Sequence, residues 1–186
     1  MKTLFSIFLM TMISVVSQAK EIAGVNLPDS MNAQNQALAL NGAGIRSKFF
    51  MDIYAAGLYL AESSQEAKSI IAQDKPMALR LHITSGLLSS EKMESATREG
   101  FEKSTGGNTA EIKDTIETFI ATFKDGIVEN DVFDFVYVPS AGVNVFKNGE
   151  LKTTVEGLKF KQALFGIWLS EDAVQSDLKE GLLGSL

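Results

Sequence analysis

The sequence has 186 residues, a formal net charge of −6, one histidine and no cysteine. The acidic balance argues against nucleic acid as a partner and against adhesion to anionic membrane surfaces, because both carry negative charge. The cysteine and histidine counts exclude disulfides, thiol nucleophiles and clusters of cysteine or histidine ligands, so we expect no metal site.

The N-terminus has the pattern of a secretory signal peptide. Lys2 precedes an apolar and small-residue run over residues 4–16, and Ser17-Gln18-Ala19 forms a small-residue exit. A retained membrane anchor is the alternative, but the run is shorter than the roughly 20 apolar residues that cross a bilayer. We therefore predict a signal peptide over residues 1–19 and a single periplasmic domain over residues 20–186, without stable membrane insertion after cleavage.

The first predicted element of that domain is extended chain over residues 38–60. Glycine inside a strand marks a bulge or a close approach, so we expect two strands joined or bent near Gly42 and Gly44. Both alternating sets of side chains over residues 49–60 are mainly apolar, which predicts a strand covered on both faces. The small residues at 55–57 fit either tight helix-on-sheet packing or space for an apolar ligand.

The middle of the chain alternates between helices and strands. Ser63 and Glu66 have the spacing of a capping box, which predicts a short helix that cannot pass Pro76. Alternation over residues 77–83 predicts a strand with His82 on its polar face. Two amphipathic helices are then predicted, one beginning near Ser89 and Ser90 and one over residues 108–124.

The last third of the chain predicts hairpins followed by helices. Residues 132–155 alternate as strands, and Asn148-Gly149 is a strong hairpin signal. Apolar residues recur at helical spacing over residues 158–169, and Leu178 and Leu182 mark a final short helix. This order of elements predicts an α+β fold in which a large antiparallel sheet is covered on one face by helices.

Arg46 is the main candidate for binding chemistry. A guanidinium stays charged and offers a planar fork that matches a carboxylate. Arg46 either pairs with Asp52 or another acid of the chain, or binds an anion from outside. If the chain returns Tyr54 or Tyr59 towards Arg46, a phenolic hydroxyl adds a further donor. We interpret His82 as an ordinary strand residue rather than a catalytic base.

Two segments resemble the chalcone isomerase-like superfamily, and more closely its exported bacterial branch. They are residues 41–60, which begin Asn-Gly-Ala-Gly-Ile-Arg, and residues 163–169, Ala-Leu-Phe-Gly-Ile-Trp-Leu. The resemblance extends over residues 22–183 and implies an open-faced β-sandwich with a ligand cleft between sheet and helices. The superfamily contains plant enzymes that cyclise chalcones, fatty-acid-binding members, and members without known catalysis.

The resemblance also assigns roles to single positions. The family's arginine matches Arg46, and Tyr54 stands where the fatty-acid-binding members have the tyrosine that helps to hold a carboxylate. The plant enzymes' catalytic tyrosine and asparagine fall on about Ser89 and Ala96, and their substrate-contacting Thr or Ser on about Ile167. These changes argue against isomerase activity, because each positioned donor contributes a few kcal/mol to stabilising the transition state.

We therefore predict a non-catalytic, monomeric periplasmic protein that binds a small amphipathic carboxylate such as a fatty acid, without a cofactor. Its predicted ligand-binding residues are Arg46 and Tyr54 for the head group, with Tyr59 in support. The apolar tail is expected among Phe119, Phe123, Phe49 and Leu81.

Two alternatives remain open. One is an isomerase or lyase of the chalcone isomerase type on another substrate, with Arg46 as electrophile and Tyr54 as general acid. The other is a ligand-free structural or partner-binding protein of the cell envelope.

Overall fold

The structure is a computed structural model that describes residues 20–185. The predicted signal peptide lies outside the described residues. The strands are β1 (Lys20–Ile22), β2 (Val25–Leu27), β3 (Ser30–Ala33), β4 (Gln36–Lys48), β5 (Met51–Leu60), β6 (Met77–Ile83), β7 (Val132–Val138), β8 (Gly142–Lys147) and β9 (Glu150–Val155). The helices are α1 (Ala67–Ala72), α2 (Ser90–Ser104), α3 (Lys113–Ile120), α4 (Leu158–Leu169) and α5 (Ser176–Leu182). Short 3-10 segments, Ala110–Ile112 and Ala121–Phe123, flank α3.

Strands β3 to β9 form one antiparallel sheet in which neighbours in sequence are neighbours in space. All five helices pack on one face of this sheet, and their apolar side chains join those of the sheet in one core. The prediction of an α+β fold with helices on one face is therefore confirmed. Strand β5 is buried from Tyr54 to Leu60, which also confirms the strand predicted to be covered on both faces.

The opposite face of the sheet is covered by strands rather than by helices. The separate β1–β2 hairpin places Val25 and Leu27 over Ala43 and Ala55. Strand β3 curls back towards β6 and β7, where a second apolar cluster includes Tyr59. Sequence periodicity missed these strands because each has only three or four residues, too few for an alternation to be recognised.

The connection between β4 and β5 lies where the glycines did not indicate it. The chain turns at Phe49-Phe50, between Lys48 and Met51, rather than near Gly42 or Gly44. The alternative of a bulge or close approach at the glycines is confirmed, because the β4–β5 register shifts between Leu40 and Gly42 and both glycines pack closely on α5. A Cβ on Gly44 would lie 2.9 Å from Leu178 Cδ1, and one on Gly42 would meet the backbone oxygens of the same helix, α5.

Asn41 explains why the predicted capping box does not form. Its Oδ1 accepts hydrogen bonds from Ser63 Oγ (3.0 Å) and Ser64 N (2.8 Å), and its Nδ2 donates to Leu182 O (3.0 Å). The Ser63 hydroxyl is therefore bound to β4 and does not cap α1, while Asn41 itself links β4 to the loop after β5 and to α5. Helix α1 begins at Ala67 without a side-chain hydrogen bond from its N-cap residue, Glu66.

The small residues of β5 are explained by packing rather than by ligand space. Ala55 and Ala56 are fully buried. A Cβ on Gly57 would lie 3.1–3.3 Å from side-chain carbons of Tyr59, Leu40 and Leu27. These positions therefore allow close approach of the layers on both faces of the sheet.

Candidate ligand-binding site

A β-bulge brings Arg46 and Tyr54 to the same face of the sheet. Ser47 pairs with Asp52 across the β4–β5 hairpin, but Arg46 pairs with Tyr54, so Ile53 is an extra residue. In a regular antiparallel hairpin Arg46 would oppose Ile53, and Tyr54 would point to the other face. The bulge thus turns the tyrosine side chain towards the arginine, a use of bulges that is common beside functional sites.

Arg46 is held by neutral groups and not by an acid. Its Nη1 donates to Ser47 O (2.7 Å) and to Gln175 Oε1 (2.9 Å). Within residues 20–185 no carboxylate lies at salt-bridge distance, and Asp52 instead accepts from Ser47 Oγ (2.8 Å). The predicted alternative of an internal Arg46–Asp52 pair is therefore wrong for the described chain, and the positive charge can pair with an external anion.

Gln175 fixes the orientation of this arginine. Its Oε1 also accepts from Ser47 N (3.0 Å), and its Nε2 donates to Ile45 O (3.2 Å). One amide at the N-cap of α5 thus bridges three consecutive residues of β4. The Gln175 amide therefore holds both the Arg46 side chain and the β4 backbone on either side of it.

Tyr54 presents a protonated hydroxyl at the same place. The indole Nε1 of Trp168 on α4 donates to Tyr54 Oη (3.0 Å), and both side chains are buried. Burial raises the pKa of Tyr54 to about 12, although the Trp168 hydrogen bond and the charge of Arg46 lower it in part. The hydroxyl is therefore neutral near pH 7 and can donate its proton to a ligand.

A cleft of about 400 Å³ opens beside these two residues, between the β4–β5 hairpin, α2 and α4. This volume is within the roughly 300–1,000 Å³ of small-molecule sites. Its walls are mostly apolar, and Arg46 and Tyr54 lie on the sheet side. The apolar part of the lining is Phe49, Met51, Ile53, Leu87, Leu88, Met93, Ala96, Ile167, Trp168 and Val174.

Charged side chains add a polar part to the lining of this cleft. They are Lys48, Lys92 and Glu99. Lys92 Nζ donates to Leu87 O (2.8 Å), whereas Glu99 forms an ion pair with Lys103 (2.6 Å). The hydrogen bond from Lys103 lowers the pKa of Glu99 most, and the charges of Lys48 and Arg46 lower it further. Glu99 therefore stays ionised, with its own partner on the same helix.

Tyr59 lies away from this cleft. It is five residues from Tyr54 on β5, so its side chain points to the opposite face, where it is fully buried. Its hydroxyl has no hydrogen-bond partner among residues 20–185. Burial raises its pKa, and the nearby charge of Arg80 lowers it in part. The structure thus brings Tyr54, but not Tyr59, to Arg46, so Tyr59 does not support a head group bound beside Arg46 as the sequence predicted.

The side chains expected around the ligand tail are also mostly elsewhere. Phe119 and Phe123 pack edge-to-face with ring centroids 5.4 Å apart, and Phe119 packs on Phe135 at 5.1 Å. Leu81 is buried in the same core, and only Phe49 lines the cleft. The phenylalanines fill the space under α3 themselves, which leaves the cleft to α2 and the hairpin.

Of the three positions that correspond to polar residues of the plant enzymes, one caps a helix and two line the cleft. Ser89 is the N-cap of α2, and its Oγ accepts from Lys92 N (3.4 Å). Ala96 and Ile167 line the cleft without a polar group.

Two residues of the site, Trp168 and Gln175, were not predicted from the sequence. Trp168 had an indirect signal, since an indole buried in an apolar helix needs an acceptor, whereas nothing in the sequence distinguishes Gln175.

Metal-ligand clusters and membrane-spanning helices are both absent from the described residues. Residues 20–185 contain no group of three acidic or histidine side chains that could hold a metal ion. None of the helices within this range combines the length and the apolar run that crossing a bilayer requires.

Comparison with known proteins agrees with the geometry of the fold. No curated protein matches the sequence. Among solved structures, the Arabidopsis thaliana fatty-acid binding protein AtFAP1 superposes with a TM-score of 0.69 over 90% of this chain and 95% of that chain, at 19% identity. The family described as chalcone isomerase-like matches residues 19–184. The chain therefore belongs to the chalcone isomerase-like family.

Proposed function

We propose that this protein binds an amphipathic carboxylate, such as a fatty acid, and catalyses no reaction on it. The observation that carries the proposal is the pairing of Arg46, which has no acid partner among the described residues, with the Tyr54 hydroxyl on the wall of an apolar cleft. The head group would lie between these two donors. The tail would extend along α2, among side chains such as Leu88 and Met93.

The two donors supply complementary interactions to a carboxylate. Arg46 gives a charge-assisted hydrogen bond, and Tyr54 gives a neutral O–H donor. Because Tyr54 already accepts from Trp168, its own proton is directed away from the indole, and such chains of hydrogen bonds strengthen one another. The modest cleft volume favours a ligand of small or medium size.

The same residues argue against chalcone isomerase chemistry. Ser89 stands near the family's catalytic tyrosine position and is occupied as a helix cap, and Ala96 and Ile167 offer no donor to a developing negative charge. The high pKa of Tyr54 also makes it a weak general acid near pH 7. Turnover of a chalcone that is lost in Tyr54→Phe would reverse this part of the proposal.

Two further observations support the ligand class and the location. AtFAP1, which shares the fold, is described as a fatty-acid binding protein. The N-terminal sequence pattern, which predicts a signal peptide, supports a periplasmic location for the domain that follows it. Cell fractionation tests the location: recovery of the full-length chain in the cytoplasm would contradict it.

The binding test compares the unmodified protein with Arg46→Gln. Protein purified without added lipid is denatured and extracted for mass spectrometry, and delipidated protein is titrated with fatty acids by calorimetry. A hydrogen bond to a charged group contributes about 1.5–3 kcal/mol. We therefore expect Arg46→Gln to weaken binding roughly 10- to 150-fold.

Arg98→Gln is the matched control, because Arg98 is paired with Glu94 and Glu117 on the surface. It should leave the affinity unchanged. The proposal fails if no carboxylate binds, or if Arg46→Gln and Arg98→Gln bind fatty acid equally well.

A further inference from the structure

The tip of the β4–β5 hairpin combines exposed aromatic side chains with an unfavourable backbone. Phe49 is 78% exposed and Phe50 fully exposed. Both have positive φ, 51° and 63°, as the two central residues of a type I′ turn require. Asn-Gly is the preferred pair at such a turn, and left-handed backbone costs other residues about 1–2 kcal/mol each.

Packing within the chain does not explain this choice of residues. An exposed phenylalanine leaves its apolar surface in water and gains little from its neighbours. Strain that is retained without a packing gain points to a role outside the fold. The turn residues therefore indicate an external apolar partner.

The exposed apolar surface continues around the cleft entrance. Met51 is 43% exposed and Leu87, on the loop before α2, is 50% exposed, and both line the cleft together with Phe49. Phe50 projects beyond them as the next residue of the turn. Three large exposed apolar side chains thus line one opening and Phe50 is adjacent to them in the turn, whereas single exposed apolar residues elsewhere on the surface are ordinary.

Two lysines accompany this patch. Lys48 Nζ lies over the Phe49 ring, 5.7 Å from its centroid, and Lys92 Nζ is bound to the Leu87 backbone. Neither is in a salt bridge within residues 20–185, although ten other ion pairs are present there. The nearby acids are engaged, Asp52 by Ser47 and Glu99 by Lys103.

We propose that this protein docks on a lipid bilayer through Phe49, Phe50, Met51 and Leu87, with Lys48 and Lys92 at the anionic head groups. Aromatic side chains favour the membrane interface, and lysines near an anionic surface add attraction. A protruding turn suits a bilayer because lipids rearrange around it, whereas a protein partner would need a matching groove. The net charge of −6 opposes adhesion of the chain as a whole to an anionic membrane, but it does not describe this local surface.

Docking of this kind would place the cleft entrance against the lipid head groups. An amphipathic carboxylate could then move between bilayer and cleft without its tail crossing water. This second step rests on the proposed function, but docking itself does not. The two are therefore tested separately.

Co-sedimentation with vesicles of phosphatidylethanolamine and phosphatidylglycerol tests docking directly. Phe50→Gly is the main variant, because glycine suits the positive φ at this turn and the folded structure is preserved or stabilised. Burial of one phenylalanine corresponds to at least about a tenfold change in partitioning. We expect at least that loss for Phe50→Gly and no measurable binding for Phe49→Asn with Phe50→Gly.

Leu151→Asn is the matched control, since Leu151 is 52% exposed on β9 and does not line the cleft. It should bind vesicles like the unmodified protein. Docking is refuted if the unmodified protein stays in the supernatant, or if Phe50→Gly sediments equally. It is also refuted if the hairpin variants abolish only self-association on size-exclusion chromatography.

The transfer step needs a different readout. A fluorescent fatty acid carried by vesicles should move to the protein several-fold more slowly in Phe50→Gly, while the affinity in vesicle-free solution is unchanged. Equal transfer rates in both proteins would refute the transfer step. Failure of the unmodified protein to bind fatty acid in vesicle-free solution would refute the proposed function and with it the transfer step, whereas vesicle binding decides docking alone.

Discussion

Arg46 and Arg80 lie on the same sheet and have opposite environments. Arg80 on β6 pairs directly across the ladder with Asp134 on β7, and the two side chains form two hydrogen bonds of 2.7 and 2.8 Å. Arg46 on β4 pairs across the ladder with Tyr54 and has no acid partner among the described residues. The cross-strand neighbour therefore decides whether an arginine on this sheet is held in an internal ion pair or stays without one.

The two faces of the sheet reinforce this difference. Arg80 is on the face closed by short strands, next to the buried Tyr59, and the Asp134 hydrogen bond raises its pKa above the ordinary value. Arg46 is on the helix-facing side, where α2 and the hairpin leave a cleft. Of the two buried tyrosines of β5, one thus accompanies each arginine.

The largest expected effect is on stability and comes from the paired arginine. Asp134→Ala leaves a mostly buried guanidinium without its counter-charge, and breaking such a pair costs about 3–5 kcal/mol. We expect a loss near 3 kcal/mol in urea denaturation, because Arg80 keeps some contact with solvent. Asp52→Ala, which removes the acid nearest in sequence to Arg46, should cost less than about 0.5 kcal/mol. Equal losses of unfolding free energy in Asp134→Ala and Asp52→Ala would contradict the difference between a paired Arg80 and an unpaired Arg46.

The second prediction concerns a substitution that gives Arg46 an acid partner like the one that Arg80 has. Gln175→Glu keeps the side-chain length but gives Arg46 a carboxylate partner, as Arg80 has. We expect the affinity for a fatty acid to fall at least about tenfold, because the ligand must now compete with an internal anion. The control Gln162→Glu changes a partly exposed glutamine that donates to Ala72 O and does not line the cleft, and it should bind normally. Undiminished binding by Gln175→Glu would show that Arg46 is not the anion site.

Removing the hydroxyl of Tyr54 or of Tyr59 should have smaller effects, and the two substitutions should differ in both ligand affinity and stability. Tyr54→Phe removes one neutral donor and leaves the Trp168 indole without its acceptor, so we expect ligand affinity to fall about 2- to 12-fold and unfolding free energy by about 1 kcal/mol. Tyr59→Phe removes a buried hydroxyl that has no partner among the described residues. It should leave affinity unchanged and stability equal or higher. A ligand-binding defect in Tyr59→Phe would restore Tyr59 as a ligand-binding residue beside Arg46 and Tyr54.

These residues also show what the sequence could and could not predict. The hairpin at Asn148-Gly149 was predicted correctly because its turn uses the preferred residues. The turn at Phe49-Phe50 was missed because phenylalanine is not a turn signal. Without the position of that turn, alternation could not show whether Tyr54 or Tyr59 lies beside Arg46. In addition, the bulge at Ile53 moves every later side chain of β5 to the opposite face from the one that regular alternation predicts.

The sequence alone also could not decide whether Arg46 pairs with an acid of the chain or binds an anion from outside. An arginine and an aspartate six residues apart are equally consistent with an ion pair or with two separate groups. The structure decides between them through Gln175, which is 129 residues away in sequence and holds the guanidinium. Contacts over such separations depend on how α5 packs on the glycines of β4, and local pattern carries no information about them.

The smallest expected effect is the pH dependence of binding, and it tests whether Tyr54 acts as a neutral donor. Its pKa in the folded protein, about 12, is above the value of about 10 for an unfolded tyrosine. The neutral form is thus favoured by folding, so its contribution to stability is present below about pH 10 and is lost as pH rises towards 12. The hydroxyl should therefore donate unchanged between about pH 7 and pH 10.

Comparison with Tyr54→Phe isolates this group, because the two proteins differ only by the phenolic hydroxyl of residue 54. We expect the ratio of the two fatty-acid affinities, measured by calorimetry, to stay constant from about pH 7 to pH 10. An ordinary tyrosine would begin to ionise in this range, and its phenolate would repel the bound carboxylate. A ratio that falls towards or below one before pH 10 would therefore mean that Tyr54 ionises in the cleft, and that Arg46 binds the anion without a neutral donor beside it.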